Sequence, residues 1–89
     1  MKIKKNFALQ EVAGNFVVLP LSTETLNFNG LITLNESGVT LYRMLEGGST
    51  YEDMASALTR EYNVSYEQAL SDTREFVDVL VAAGCIDEE

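Results

Sequence analysis

Histidine and tryptophan are absent from this chain, and cysteine and proline occur once each, at Cys85 and Pro20. Without histidine neither a Ser-His-Asp nor a Cys-His arrangement can be assembled, and a zinc ion would have to be held by Cys85 and carboxylates alone. One cysteine cannot close an internal disulfide, which agrees with a reducing compartment and leads to the expectation of a cytoplasmic address. Long apolar runs are missing too. Phe16 to Leu19 and Val79 to Ala83 are the longest, far short of the roughly 20 residues that cross a bilayer, so no membrane partner is expected. The basic opening Met1-Lys2-Ile3-Lys4-Lys5 lacks the apolar stretch that would make it a signal peptide. Neither a phosphate-loop nor a dinucleotide-binding glycine pattern occurs, and Gly47-Gly48 is explained by helix termination. No cofactor is expected.

Positive charge is also scarce. Six basic residues stand against fourteen acidic ones, for a formal charge of -8, a balance that repels phosphate backbones and makes nucleic acid a poor partner. The lysines all lie in the first five residues, leaving Arg43, Arg60 and Arg74 as the cations of the remaining chain. A strongly anionic body follows, suited to solubility and to attracting a basic peptide.

What is present is the makings of one domain spanning 1–89, with a core over about 7–86. The 46% hydrophobic and 22% charged content is ordinary globular usage. Phe7 to Val12 and Asn15 to Leu19 are rich in β-branched, aromatic and alternating residues around Ala13-Gly14-Asn15, which predicts a β-hairpin. Pro20 to Gly30 reads as a loop and Leu31 to Leu34 as a third short strand. Asn35 is placed to cap a first helix carrying Val39, Tyr42 and Leu45 and ended by Gly47-Gly48. Ser49 with Glu52 has capping-box spacing before a second helix with Tyr51, Met54, Leu58 and Tyr62. After Asn63-Val64, Ser65 with Gln68 repeats that spacing and opens the longest helix, whose Ala69, Thr73, Phe76, Val77, Leu80 and Ala83 can face a core before Gly84 stops it. Three strands followed by three helices is an α+β arrangement with local connections.

Catalytic chemistry is hard to find in this pattern. Asp72, Glu75 and Asp78 recur along the long helix, but a carboxylate pair that works needs a deep, water-excluding cleft, and these positions read as a solvated face. Glu52-Asp53 complements a helix dipole. Cys85, between Gly84 and Ile86, reads as a small buried residue. No enzyme activity is expected.

The run Phe28-Asn29-Gly30-Leu31-Ile32-Thr33-Leu34-Asn35-Glu36-Ser37-Gly38 resembles the PqqD-like family, named after pyrroloquinoline quinone biosynthesis protein D. The likeness extends through Leu34 to Gly38, with Ser37 in a place typically Thr, then Leu45-Glu46-Gly47, then Thr50 to Tyr62 with its Thr-x-Glu-Asp start and Glu-Tyr end, and finally Val64 to Gly84 with Asp72, Phe76 and Leu80. It covers about Phe7 to Ile86. The chain departs from many relatives in lacking a tryptophan near Leu41-Tyr42.

The resemblance implies a winged-helix-like domain, a peptide chaperone or recognition element. Such a domain binds the leader of a ribosomally synthesised and post-translationally modified peptide, which a separate enzyme, often a radical SAM maturase, then modifies. It also implies that the leader adds as a strand against the third strand, here Leu31, Ile32, Thr33 and Leu34, with side chains beside the third helix. Helical spacing puts Asp72, Glu75, Val79 and Ala83 on one stripe of that helix, and these are the groove residues expected. Two other uses of the same architecture stay open. An assembly subunit could use the exposed edge to form a homodimer or dock on an enzyme, and a winged-helix regulator could read DNA with the third helix, against the repulsion from Glu67, Asp72, Glu75 and Asp78. A small acidic carrier protein is disfavoured by the β-rich first third.

Overall fold

The computed structural model describes residues 1–21 and 32–87. The chain begins with β1 (Lys2–Ile3), followed by the hairpin of β2 (Phe7–Val12) and β3 (Asn15–Pro20), whose six residues pair throughout, from Phe7 with Pro20 to Val12 with Asn15. The turn between them is two residues long. Ala13 and Gly14 both take positive φ, 53° and 83°, the geometry that lets a tight turn follow the twist of its strands. Asn15 therefore belongs to β3 and not to the turn. β3 also runs one residue beyond the expected Leu19 to take in Pro20; Leu21 follows it, and residues 22–31, the remainder of the expected loop together with Leu31, lie outside the described residues. β4 (Ile32–Leu34) completes an antiparallel sheet in the order β2-β3-β4.

Three helices follow, α1 (Glu36–Gly47), α2 (Tyr51–Glu61) and α3 (Tyr66–Ala82). Asn35 caps α1 as expected, its Oδ1 accepting from the Gly38 N–H at 2.9 Å and the Ser37 hydroxyl at 3.0 Å. Ser65 caps α3 by accepting from the Gln68 N–H at 3.1 Å. The cap of α2 is a correction: Thr50 accepts from the Asp53 N–H at 3.1 Å, where Ser49 was expected to serve. Ser49 is engaged elsewhere. Its N–H donates to the Met1 carbonyl at 2.9 Å, and its own carbonyl accepts from the Met1 amino group at 3.1 Å. Gly84, at φ 79°, follows the end of α3.

A two-stranded ribbon unannounced by the sequence joins the two ends of the chain. β5 (Ile86–Asp87) pairs antiparallel with β1, Lys2 opposite Asp87 and Ile3 opposite Ile86. Both isoleucines are buried.

The core lies between the main sheet and the helices, with Val18, Leu34, Leu41, Tyr42, Leu45, Met54, Leu58, Val77 and Leu80 inside. Cys85 is buried and free, and burial pushes its thiol up to about 11 while Lys4 pulls the other way. Of the residues expected to face the core from α3, Ala69, Thr73, Val77 and Leu80 are buried, whereas Phe76 and Ala83 are only partly so. Among the described residues no helix is long and apolar enough to cross a membrane.

Candidate functional site

β4 is an edge of the main sheet among the described residues, and its register determines which of its polar groups are unused. In an antiparallel pair, successive residues turn their N–H and C=O alternately toward one neighbouring strand and the other. The Leu21 N–H donates to the Asn6 carbonyl at 2.7 Å. The odd-numbered residues of β3 thus face β2, and Phe16 and Val18 face β4, where their partners are Leu34 and Ile32. Pro20, which has no N–H to give, accordingly does not interrupt the β2 ladder. Thr33 sits opposite Val17 between the two bonded pairs, so its N–H and C=O point away from β3, out of the sheet edge. Its side chain is exposed, while Leu34 is buried and Ile32 half-buried.

Beside this edge runs a groove. A space of about 550 Å³ is lined by Ile32, Thr33 and Leu34 from β4, Asn15 from the hairpin, Asn35 and Gly38 at the start of α1, and Phe76 and Val79 from α3. A second, of about 770 Å³, shares Asn35, Gly38, Phe76 and Val79 and continues past Leu41, Leu58, Tyr62 and Val64, with Glu36, Asp72 and Glu75 also on its wall. Volumes of this size are typical of ligand sites.

Gly38 makes the junction close. A Cβ there would meet the Asn35 Oδ1, Leu34 Cβ and a Phe76 ring carbon, each at 3.3 Å, so any side chain would press on the cap, the edge strand and the groove wall together. Phe76 spans the boundary between core and groove. Val79, expected in the groove, is 53% exposed and lines both spaces.

The groove is acidic. Asp72 accepts from the Gln68 side-chain amide at 2.8 Å, which fixes the carboxylate on the outer turn of α3. Arg74 lies with its guanidinium 5.7 Å from the Tyr51 ring centroid, an attractive cation–π geometry that ties α3 to α2. No group of three or more Cys, Asp or Glu among the described residues is placed to hold a metal ion.

The sequence matches the family model for coenzyme PQQ synthesis protein D (PqqD) over residues 15–86. The chain belongs to the PqqD family. Two solved structures share this PqqD fold. One, TbiB1 in complex with the TbiA(beta) leader peptide, superposes with a TM-score of 0.79 at 24% identity, over 100% of this chain and 98% of the other. The second, a lasso peptide synthetase B1 complexed with the leader peptide, gives 0.75 at 21% identity, over 94% and 93%. No curated protein matches. The three-stranded antiparallel sheet followed by three helices expected from the sequence is thus the fold of PqqD-like structures.

Of the site residues expected for this PqqD family member, Ile32, Thr33, Leu34, Asp72, Glu75 and Val79 come together around the groove. Leu31 lies outside the described residues. Ala83 lines neither space: it caps the C-terminal end of α3, its N–H donating to the Val79 carbonyl at 3.1 Å, and packs against the core. Asn35, Gly38, Tyr62, Val64 and Phe76 were not anticipated as groove residues. A glycine one turn inside a helix, where it weakens helical propensity, was the signal for Gly38.

Proposed function

We propose that this chain is a non-catalytic recognition domain for the leader segment of a ribosomally synthesised precursor peptide. The leader adds as a strand to β4 and lays alternate side chains in the groove beside α3. The carrying observation is Thr33, whose N–H and C=O point outward from an edge left open among the described residues and offer a ready hydrogen-bonding pair to an extended peptide. The groove next to that edge supplies contacts that the backbone bonds cannot, and the leader-bound state of both structural neighbours supports the reading. The chain presents the leader to a separate modifying enzyme, of which a radical SAM maturase is one kind. A cytoplasmic setting fits the single buried cysteine.

The test is Thr33→Pro, with affinity for the synthetic leader of the associated precursor measured by calorimetry. Because the Thr33 N–H is not used by β3, the variant keeps its sheet and its urea midpoint. Removing the outward donor weakens binding by about tenfold, the equivalent of one good hydrogen bond. Unchanged affinity in a folded variant would rule out strand addition at β4. Self-pairing of β4 between two copies would instead appear as a concentration-dependent mass in light scattering, abolished by the same substitution.

A further inference from the structure

The larger of the two spaces combines surfaces that one kind of side chain satisfies together. Leu41 and Leu58 are buried at its base and Phe76 is half-buried, whereas Glu36, Asp72 and Glu75 are exposed at its rim. Among the described residues no lysine or arginine lines either space. Arg74, the one cation of α3, is occupied over Tyr51. The start of α1, which as a helix N-terminus favours an anion, is already satisfied: Asn35 Oδ1 takes the Gly38 N–H and the Ser37 hydroxyl, and Glu36 stands in the first turn.

Resting on the strand-addition reading, the geometry points to a second determinant in the leader: an arginine or lysine just beyond the residue that pairs with Thr33. Its aliphatic stem lies along Phe76 and Val79, and its charged head reaches Glu36, Asp72 and Glu75. Long basic side chains bury their stems on apolar surface while the head stays in a polar setting, which is the combination this space offers. Continuity places it there. The two spaces share Asn35, Gly38, Phe76 and Val79, so a peptide leaving the β4 edge along α3 passes directly from one to the other. Gln68 holds the Asp72 carboxylate in position before the peptide arrives.

A random peptide library displayed on phage, selected in parallel on the wild-type protein and on the combined Glu36→Gln, Asp72→Asn and Glu75→Gln variant, tests this. Wild type enriches arginine or lysine at one fixed distance from a β-prone stretch; the variant keeps the stretch and loses the basic preference. A selected peptide, resynthesised with citrulline in place of its arginine or with norleucine in place of its lysine, binds the unaltered protein about tenfold more weakly at low salt. That difference shrinks as salt rises. The peptide substitution leaves the protein untouched, so the result does not depend on how the variant folds. Enrichment of an aromatic or acidic residue at that position, or a preference for basic residues that the variant retains, overturns the basic determinant and leaves strand addition standing. Absence of any β-prone stretch, or enrichment insensitive to Thr33→Pro, overturns strand addition itself.

Discussion

Tyr42 carries its phenol into the core, where Oη has no hydrogen-bond partner among the described residues. Burial foremost, then the neighbouring charges of Glu46 and Cys85, push its pKa from an ordinary 10.0 up to about 12, and burial lifts Cys85 from 9.0 to about 11. Both groups are neutral when protonated and hold their protons more tightly in the folded state than in the unfolded one. Their contribution to stability is therefore intact below pH 9.0 and is lost as pH rises through 11 and 12. Tyr42→Phe keeps the ring, removes the unpaired hydroxyl and is expected to stabilise the fold by about 1 kcal/mol near neutral pH. It should also remove the tyrosine share of the alkaline loss, leaving the cysteine share. Urea midpoints across the alkaline range measure both, and a destabilised Tyr42→Phe would mean that the hydroxyl has a partner.

At the scale of elements, the β2–β3 hairpin turns on Ala13, a residue with a side chain held at φ 53°. Asparagine tolerates that region better and is favoured before glycine in such turns. Ala13→Asn should raise stability by about 0.5 kcal/mol, read as a higher thermal midpoint; a lower one would show that residue 13 does not hold a positive φ in solution. Elements with strong local signals were legible in the sequence. The caps at Asn35 and Ser65, the hairpin and the three helices each rest on residues only a few positions apart. Thr50 and Ser49 could not be separated in that way, because Ser49-Glu52 and Thr50-Asp53 repeat one pattern and only the distant Met1 decides between them. β1 and β5 are two residues each, too short for any periodicity to announce. Likewise the edge strand and the acidic stripe of α3 were readable, but Phe76 as groove wall and Gly38 as point of closest approach arise where β4, α1 and α3 meet.

Across the whole molecule, charge and chain ends act over longer distances. A formal charge of -8 sets up a negative field that favours cationic partners over anionic ones, an effect that fades with salt. The ends are tied down by the β1–β5 ribbon, by Met1 on Ser49, and by the Lys4 N–H donating to the Cys85 carbonyl at 2.8 Å. Removing residues 1–4 takes away buried Ile3 and uncovers Ile86 and Cys85. Loss of one such side chain costs about 3 kcal/mol, a large part of what a small domain has. The truncated protein is expected to unfold at markedly lower urea, and its Cys85 thiol to react with Ellman's reagent where the intact protein is protected. An unchanged midpoint with a protected thiol would show that the ribbon adds nothing.

The pairing of Lys2 with Asp87 also brings the first and last described strands together in one seam, about 5 Å wide. That seam adjoins Ser49, just past the C-terminal end of α1, while the groove opens at the N-terminal end of the same helix, about 18 Å away for its 12 residues. A unit built this way has its seam and its groove at opposite ends of one helix. Spliced into a surface turn of a larger protein, it would need no more space than an ordinary hairpin connection, and its groove would face outward, clear of the join.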